Sequence, residues 1–203
     1  MKKLIQIFLL TVLVSVIVPG KCYSQTMGGD HEFSAGVGLL SLDQFFGTIA
    51  GDIGRAIVSL GNVSTTNVEI KGAYYLTYQY YIRNRFSAGL TLVTDRVSGD
   101  LQNRDDEITG SFKRHYFTIA PEIKFVYMNN KAVRLYGIAG IGYTLGSETT
   151  FGLSGAEDGD SKWSHINFQV TPLGIRFGRT FGVFAEIGIG YKGFLSGGMS
   201  YYF

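Results

Sequence analysis

An all-β, eight-stranded antiparallel up-and-down transmembrane β-barrel, with a short amphipathic helix in the first outer loop, is the fold the sequence predicts. Three observations predict it. Eight segments alternate apolar and polar residues with period two, the connections between them alternate short and long, and the chain stops on an aromatic strand. The last strand shows the pattern plainly. Counting back from Phe203, the residues Phe203, Tyr201, Met199, Gly197 and Leu195 share one face, and Tyr202, Ser200, Gly198 and Ser196 share the other. A greasy outer face is what a closed strand ring needs in lipid, where every backbone polar group must be satisfied within the protein.

Residues 1–24 read as a signal peptide and 25–203 as the barrel domain. Lys2 and Lys3 start the leader, and Leu4 to Val18 is an apolar run too short for a comfortable span. Pro19-Gly20 breaks the run, and Cys22-Tyr23-Ser24 places small residues where a signal peptidase reads, with cleavage expected before Gln25. Cys22 also raises a lipoprotein signal, against which stand Lys21 and Pro19 at positions that want small and aliphatic residues. Losing Lys2, Lys3 and Lys21 takes Lys plus Arg from 18 to 15 against 16 Asp plus Glu. The mature chain is near neutral and offers no electrostatic footprint for nucleic acid. Its only cysteine leaves with the leader, which excludes disulfides and thiolate metal sites. No apolar run of helical membrane-spanning length remains.

The strands follow in order. Over 31–41, Phe33, Ala35, Val37 and Leu39 alternate with Glu32, Ser34, Gly36 and Gly38. Over 67–82, Ile70, Tyr74, Leu76, Tyr78, Tyr80 and Ile82 oppose Glu69, Lys71, Tyr75, Thr77 and Gln79. Over 85–97, Phe86, Ala88, Leu90 and Leu92 oppose Ser87, Gly89, Thr91 and Asp95. The stretches 113–128, 132–146, 163–177 and 182–192 continue the alternation, and the terminus supplies the eighth strand. A soluble sandwich or soluble barrel would turn the apolar face inward. The polar faces here are mostly Gly, Ser, Thr and Ala, which suits a narrow filled lumen better than a solvated face. Tyr80, Phe86, Tyr127, Tyr143, Tyr191 and Phe203 sit near strand ends, where interfacial aromatic girdles belong. Short turns near Asn84, at Asn129-Asn130-Lys131 and at Arg179-Thr180-Phe181 mark one end; long connections over 42–66, 98–112 and 147–162 mark the other, with a tight fourth one near Lys192-Gly193-Phe194.

Ser196, Gly198, Tyr201 and Phe203 are spaced as a polar residue, a glycine two later, and aromatics three and five after that. This looks like the insertion signal of bacterial outer-membrane barrels. With the seven preceding strands, the mature chain resembles the small eight-stranded outer-membrane barrel superfamily, of the OmpX and OmpA transmembrane kind. The resemblance implies a porin-like, monomeric integral protein of a Gram-negative outer membrane with both termini periplasmic. It implies contact with outer-membrane lipid and lipopolysaccharide, barrel-assembly machinery as a partner during insertion, and no cofactor. It is specific for architecture and weak for function.

One segment breaks the period. Over 42–60, Leu42, Phe46, Ile49, Ile53, Ile57 and Leu60 recur at helical spacing, with Asp43, Gln44, Asp52 and Arg55 opposite. Gly47, Gly51 and Gly54 weaken such a helix. It either plugs the barrel mouth or lies on the lipopolysaccharide surface or a partner.

Inward charges form the main candidate constellation. A three-residue turn between strands four and five sets Val126 opposite Arg134, Lys124 opposite Tyr136 and Glu122 opposite Ile138, making Arg134 and Lys124 diagonal neighbours. Arg176 faces Glu186 if strand six slips near Pro172-Leu173-Gly174. Glu122, Lys124, Arg134, Arg176 and Glu186 then form a buried ion network, either neutralising the lumen or gating it. Cationic neighbours argue against Glu122 and Glu186 as glycosidase carboxylates. Lipid A acylases or deacylases use Ser and His, and Ser164-His165 or Ser111 with His115 are the available pairs, but no orienting acid stands at a recognisable spacing. Asp105-Asp106-Glu107 and Glu157-Asp158-Gly159-Asp160 are acidic runs without EF-hand spacing. The expected role is non-enzymatic, structural or surface-interacting, with a lipid A-modifying enzyme or a narrow pore as alternatives.

Overall fold

A computed structural model of the protein describes residues 28–45, 63–103, 108–130, 132–152 and 159–203. The leader and the expected helix residues Phe46, Ile49, Ile53, Ile57 and Leu60 lie outside the described residues. Eight strands close into one ring in chain order: β1 (His31–Leu39), β2 (Val63–Arg83), β3 (Phe86–Asn103), β4 (Ile108–Asn129), β5 (Val133–Gly152), β6 (Gly159–Gly178), β7 (Phe181–Gly190) and β8 (Leu195–Tyr202). All neighbours are antiparallel, and the ring shuts where β1 meets β8, with Glu32 opposite Tyr202 and Leu39 opposite Leu195. Both strand termini, His31 and Phe203, lie at the end with the short turns, the terminal end; the other is the loop end. His31 and Phe203 exchange backbone hydrogen bonds of 2.9 and 3.0 Å there.

The alternation is inside out, as a membrane barrel requires. Ile166 is 78% exposed and Ile141 66%, whereas Glu122 is 2% and Arg176 1%. On β4 the outward row Tyr127, Phe125, Ile123, Ile119 and Phe117 is exposed throughout. At about 3.3 Å per residue and a tilt of about 40°, that row makes a band roughly 25 Å tall, the height of an outer-membrane hydrocarbon belt.

The strands are unequal. β2 to β6 hold 21, 18, 22, 20 and 20 residues, while β1, β7 and β8 hold 9, 10 and 8. Five strands therefore rise as a wall at the loop end beside a low side made of β7, β8 and β1. β1 pairs with β2 no higher than Gly38 with Ala73, and β7 pairs with β6 no higher than Gly190 with Gln169. Above those points the outer halves of β2 and β6 are sheet edges among the described residues. The expected strands were too short at this end. The chain beyond the belt still alternates, but with polar residues on both faces, so no apolar face marks the extensions. The connections after β3 and β5 accordingly shrink to 104–107 and 153–158.

Candidate functional site: a charged lumen under a polar cap

Each inward side chain is placed by strand parity, and three polar groupings stack along the barrel axis. Glu32 of β1 is the hub nearest the terminal end. Its Oε2 accepts from Lys124 Nζ at 2.7 Å, from the Tyr202 hydroxyl at 2.8 Å and from the Tyr81 hydroxyl at 2.9 Å. Arg176 Nε lies 4.0 Å from Glu32 Oε1 and donates to Ser200 Oγ at 2.5 Å, while its Nη1 donates to the Gly178 carbonyl at 2.6 Å. Arg134 and Arg176 both lie over the Tyr202 ring, at 4.1 and 4.4 Å from its centroid, a cation–π arrangement strengthened by desolvation. Arg134 Nε donates to Asn129 Oδ1 at 3.0 Å.

The middle grouping centres on Glu122 and Glu186. Lys192 Nζ sits 2.8 Å from Glu122 and the Tyr191 hydroxyl donates to Glu122 Oε1 at 2.8 Å. Glu186 accepts from the Tyr136 hydroxyl at 2.8 Å and from Ser196 Oγ at 3.3 Å. Tyr75, Phe184, Tyr191, Ala73, Val93 and Ala120 pack the space between, so the charges are enclosed rather than hydrated.

All five residues expected in the network point inward and are buried, but their partners differ. The turn between β4 and β5 begins one residue later than expected, and a bulge falls between Val126 and Met128. Val126 therefore opposes Tyr136, Lys124 opposes Ile138, Glu122 opposes Gly140 and Arg134 opposes Asn129. Arg134 and Lys124 are not diagonal neighbours. Strand β6 does slip, between Val170 and Leu173, but the slip sets Gly174 opposite Glu186 and Arg176 opposite Phe184. Arg176 thus lies one pair nearer the terminal end and meets Ser200 and Glu32 instead of Glu186. Glu32 and Lys192, the true counter-ions, were left out of the expected network although strand parity put both on polar faces.

The third grouping caps the lumen at the loop end. A helical turn over 42–45 starts from Ser41 in a capping box: the Gln44 backbone N–H donates to Ser41 Oγ at 3.1 Å, and the Ser41 N–H donates to Gln44 Oε1 at 3.1 Å. Its polar side, not its apolar side, enters the barrel. Gln44 Nε2 donates to Asp95 Oδ1 at 2.7 Å, and Ser41 Oγ donates to the other Asp95 oxygen. Asp43 bonds His165 Nε2 and Asn167 Nδ2, both at 2.8 Å. Leu42 is half-buried and Phe45 exposed. The expectation of an apolar face on the mouth is corrected here: the rim offers Asp95, His165 and Asn167, whose polar groups only polar partners satisfy. Below the turn, hydroxyl pairs Thr77–Thr91 and Thr118–Thr144 close the lumen at 2.8 and 2.7 Å.

Burial pushes the Asp43 carboxyl up from its ordinary 3.8, against the opposing pull of His165 and Asn167. A raised value in the docked state means that docking is favoured below the ordinary value and weakens as pH rises through the raised one. The Phe45 amide, bonded to the Ser41 carbonyl at 2.9 Å, should therefore show higher hydrogen-exchange protection factors near pH 4 than at pH 7. Protection that falls on acidification would contradict the assignment.

The other candidates are not brought together. His165 has an acid partner in Asp43, yet Ser164 faces outward and accepts from the Tyr143 hydroxyl at 2.7 Å. His115 lies on the exterior, opposite Arg96 and Ser147, with no bonded carboxylate among the described residues. Asp105-Asp106-Glu107 and most of the second acidic run lie outside the described residues, and no cluster of three metal-ligating side chains occurs among those described. In the terminal strand Ser196 faces the lumen, Gly198 packs against the Ala35 and Gly36 backbone, and Tyr201 and Phe203 are exposed outward.

A sealed ring with lipid-type exterior and ion-paired interior defines a membrane-spanning β-barrel. Among solved structures the chain is similar to Ail, the attachment invasion locus protein of Yersinia pestis, at 14% identity over 87% of this chain and 100% of that one, with a TM-score of 0.47. It is similar to the N-terminal β-barrel domain of Pseudomonas aeruginosa OprF at 12% identity over 88% and 100%, with a TM-score of 0.44. The outer membrane protein OprG of Pseudomonas aeruginosa aligns at 12% identity over 89% and 98%, with a TM-score of 0.46. No protein-family model matches the chain, and no curated protein sequence does. The fold assignment stands on the strand ring of this chain itself.

Proposed function

We propose that the protein is an integral outer-membrane barrel that neither conducts nor catalyses, and that it serves a structural or surface-interaction role through its loop end. The observation that carries this reading is a lumen filled by paired side chains beneath a five-strand wall. An eight-stranded ring has room only for its own side chains, and here Arg176, Lys192, Gln169 and Tyr191 are all nearly inaccessible. The outer half of β6 offers an unpaired sheet edge, the kind of surface on which another strand adds. Ser164 facing away from His165 supports a non-enzymatic role. Both termini lie periplasmically in this reading, Tyr201 and Phe203 present the insertion signal to the assembly machinery, and the loop end meets lipopolysaccharide and the cell's surroundings as a monomer.

An epitope inserted between β5 and β6 should be detected by antibody on intact cells, while one after Phe203 should need permeabilised cells. The reverse pattern would sink the orientation. In planar bilayers the purified barrel should give no stepwise conductance; clear open levels would restore the pore.

A further inference from the structure

The outward faces of β3 to β6 change character at one level. Going up β4, exposed Ile119 and Phe117 give way to exposed His115 and Lys113. On β3, Leu92 and Thr94 give way to Arg96, and on β6 Ile166 and Ser164 give way to Lys162. Strand pairing sets Arg96 opposite His115, His115 opposite Ser147, and Ser147 opposite Lys162. Lys113 lies one row higher, between Ser98 and Thr149. Basic side chains thus gather directly above the apolar belt, on the exterior. The nearest outward acids are further off: Asp100 lies beyond Ser98 on β3, and Asp160 pairs with Thr149 on the far side of β5. Arg96, Lys113 and Lys162 have no ion pair among the described residues, and Arg96 directly opposite His115 is an unfavourable pairing whenever His115 is protonated.

Two grooves open on this face and share His115. One of about 220 Å³ is lined by Arg96, Ser98, Lys113 and His115. The other, about 420 Å³, is lined by Phe117 and Leu145 below and by His115, Ser147 and Lys162 above. A polar cationic recess sits beside a mainly apolar one at the edge of the lipid belt. The complementary ligand carries a phosphate joined to an acyl chain.

Resting on the outer-membrane reading above, we propose that this shelf binds a phosphorylated glycolipid of the outer leaflet. Its phosphate is held by Arg96 and Lys113, with His115 and Lys162 flanking, and one acyl chain lies against Phe117 and Leu145. Charge-assisted bonds to a phosphate also relieve the crowding of like charges. The purified mature barrel in dodecyl maltoside, titrated with diphosphoryl lipid A, tests this by native mass spectrometry. The double substitution Arg96→Gln with Lys113→Gln should weaken capture at least about tenfold, one charge-assisted contact per decade. Removing both phosphates from the lipid should do the same to the unsubstituted protein. Both side chains are exterior, so heat-modifiable gel migration should stay normal and report an intact barrel. Undiminished capture by the double variant, equal capture of dephosphorylated lipid, or displacement by millimolar inorganic phosphate would each overturn the proposal. Failure of the outer-membrane reading would appear separately, in the epitope accessibility of intact cells.

Discussion

Glu32→Ala should lower barrel stability by about 3–5 kcal/mol, the loss typical of breaking a buried pair from one side. The carboxylate is 2% exposed and receives three donors on one oxygen. Without it Lys124, 4% exposed, keeps only the Tyr136 ring at 4.7 Å, and Arg176 loses its nearest opposite charge. The measurement is the urea midpoint in phospholipid vesicles followed by Tyr and Trp fluorescence. A paired experiment separates the charge effect from simple loss of packing. In a Lys124→Met background the same Glu32→Ala change should cost markedly less, because the two residues share one interaction. An unchanged midpoint in the single variant, or strict additivity in the pair, would remove Glu32 from the centre of the network.

Gly38→Ala should destabilise by about 3 kcal/mol, at the upper end of the range for overpacking. A Cβ built at Gly38 would stand 1.5 Å from the Lys192 carbonyl oxygen, far inside any contact distance. That carbonyl is held in place. The Lys192 N–H donates to Gln169 Oε1 at 2.8 Å, the Phe194 N–H donates to the Leu39 carbonyl at 2.9 Å, and Gly193 turns the chain at a φ of 96° that side chains avoid. The added methyl must push the β7–β8 turn outward and draw Lys192 away from Glu122. Glu122→Gln in the Gly38→Ala background should then cost little more, since the ion pair is already lost. A Gly38→Ala barrel with wild-type stability and a further full loss on Glu122→Gln would contradict this coupling.

Architecture was legible because period two survives every local irregularity: Phe203, Tyr201 and Met199 face out on β8, and Ser200 and Ser196 face in. Facing was legible for the network too, since Glu122, Lys124, Arg134, Arg176 and Glu186 are all inward. Pairing was not. Glu32 and Lys124 belong to strands one and four, which touch only across the lumen, and no sequence period records which residues meet across a barrel. Neighbouring-strand register failed for a different reason, the bulge near Tyr127, which nothing in Phe125-Val126-Tyr127-Met128 announces. The helical turn was found, but its docking face was inverted. The signal available was Ser41-Leu42-Asp43-Gln44, a capping box whose polar members pair with Asp95 and His165.

The unequal strands bear on how the ring forms. Its seam joins β1 to β8, two of the shortest strands, yet it closes the longest loop in the chain: the Glu32–Tyr202 bond spans 170 positions. Loop-closure entropy for such a separation is on the order of 4–5 kcal/mol, and eight backbone pairs must repay it late in folding. Glu32 lies on the inner side of that seam and binds Tyr202 across it, Tyr81 on β2 and Lys124 on β4. The same carboxylate that neutralises the lumen is therefore a latch on the last zipper to shut. Its loss should speed opening of the seam more than it slows formation of the hairpins.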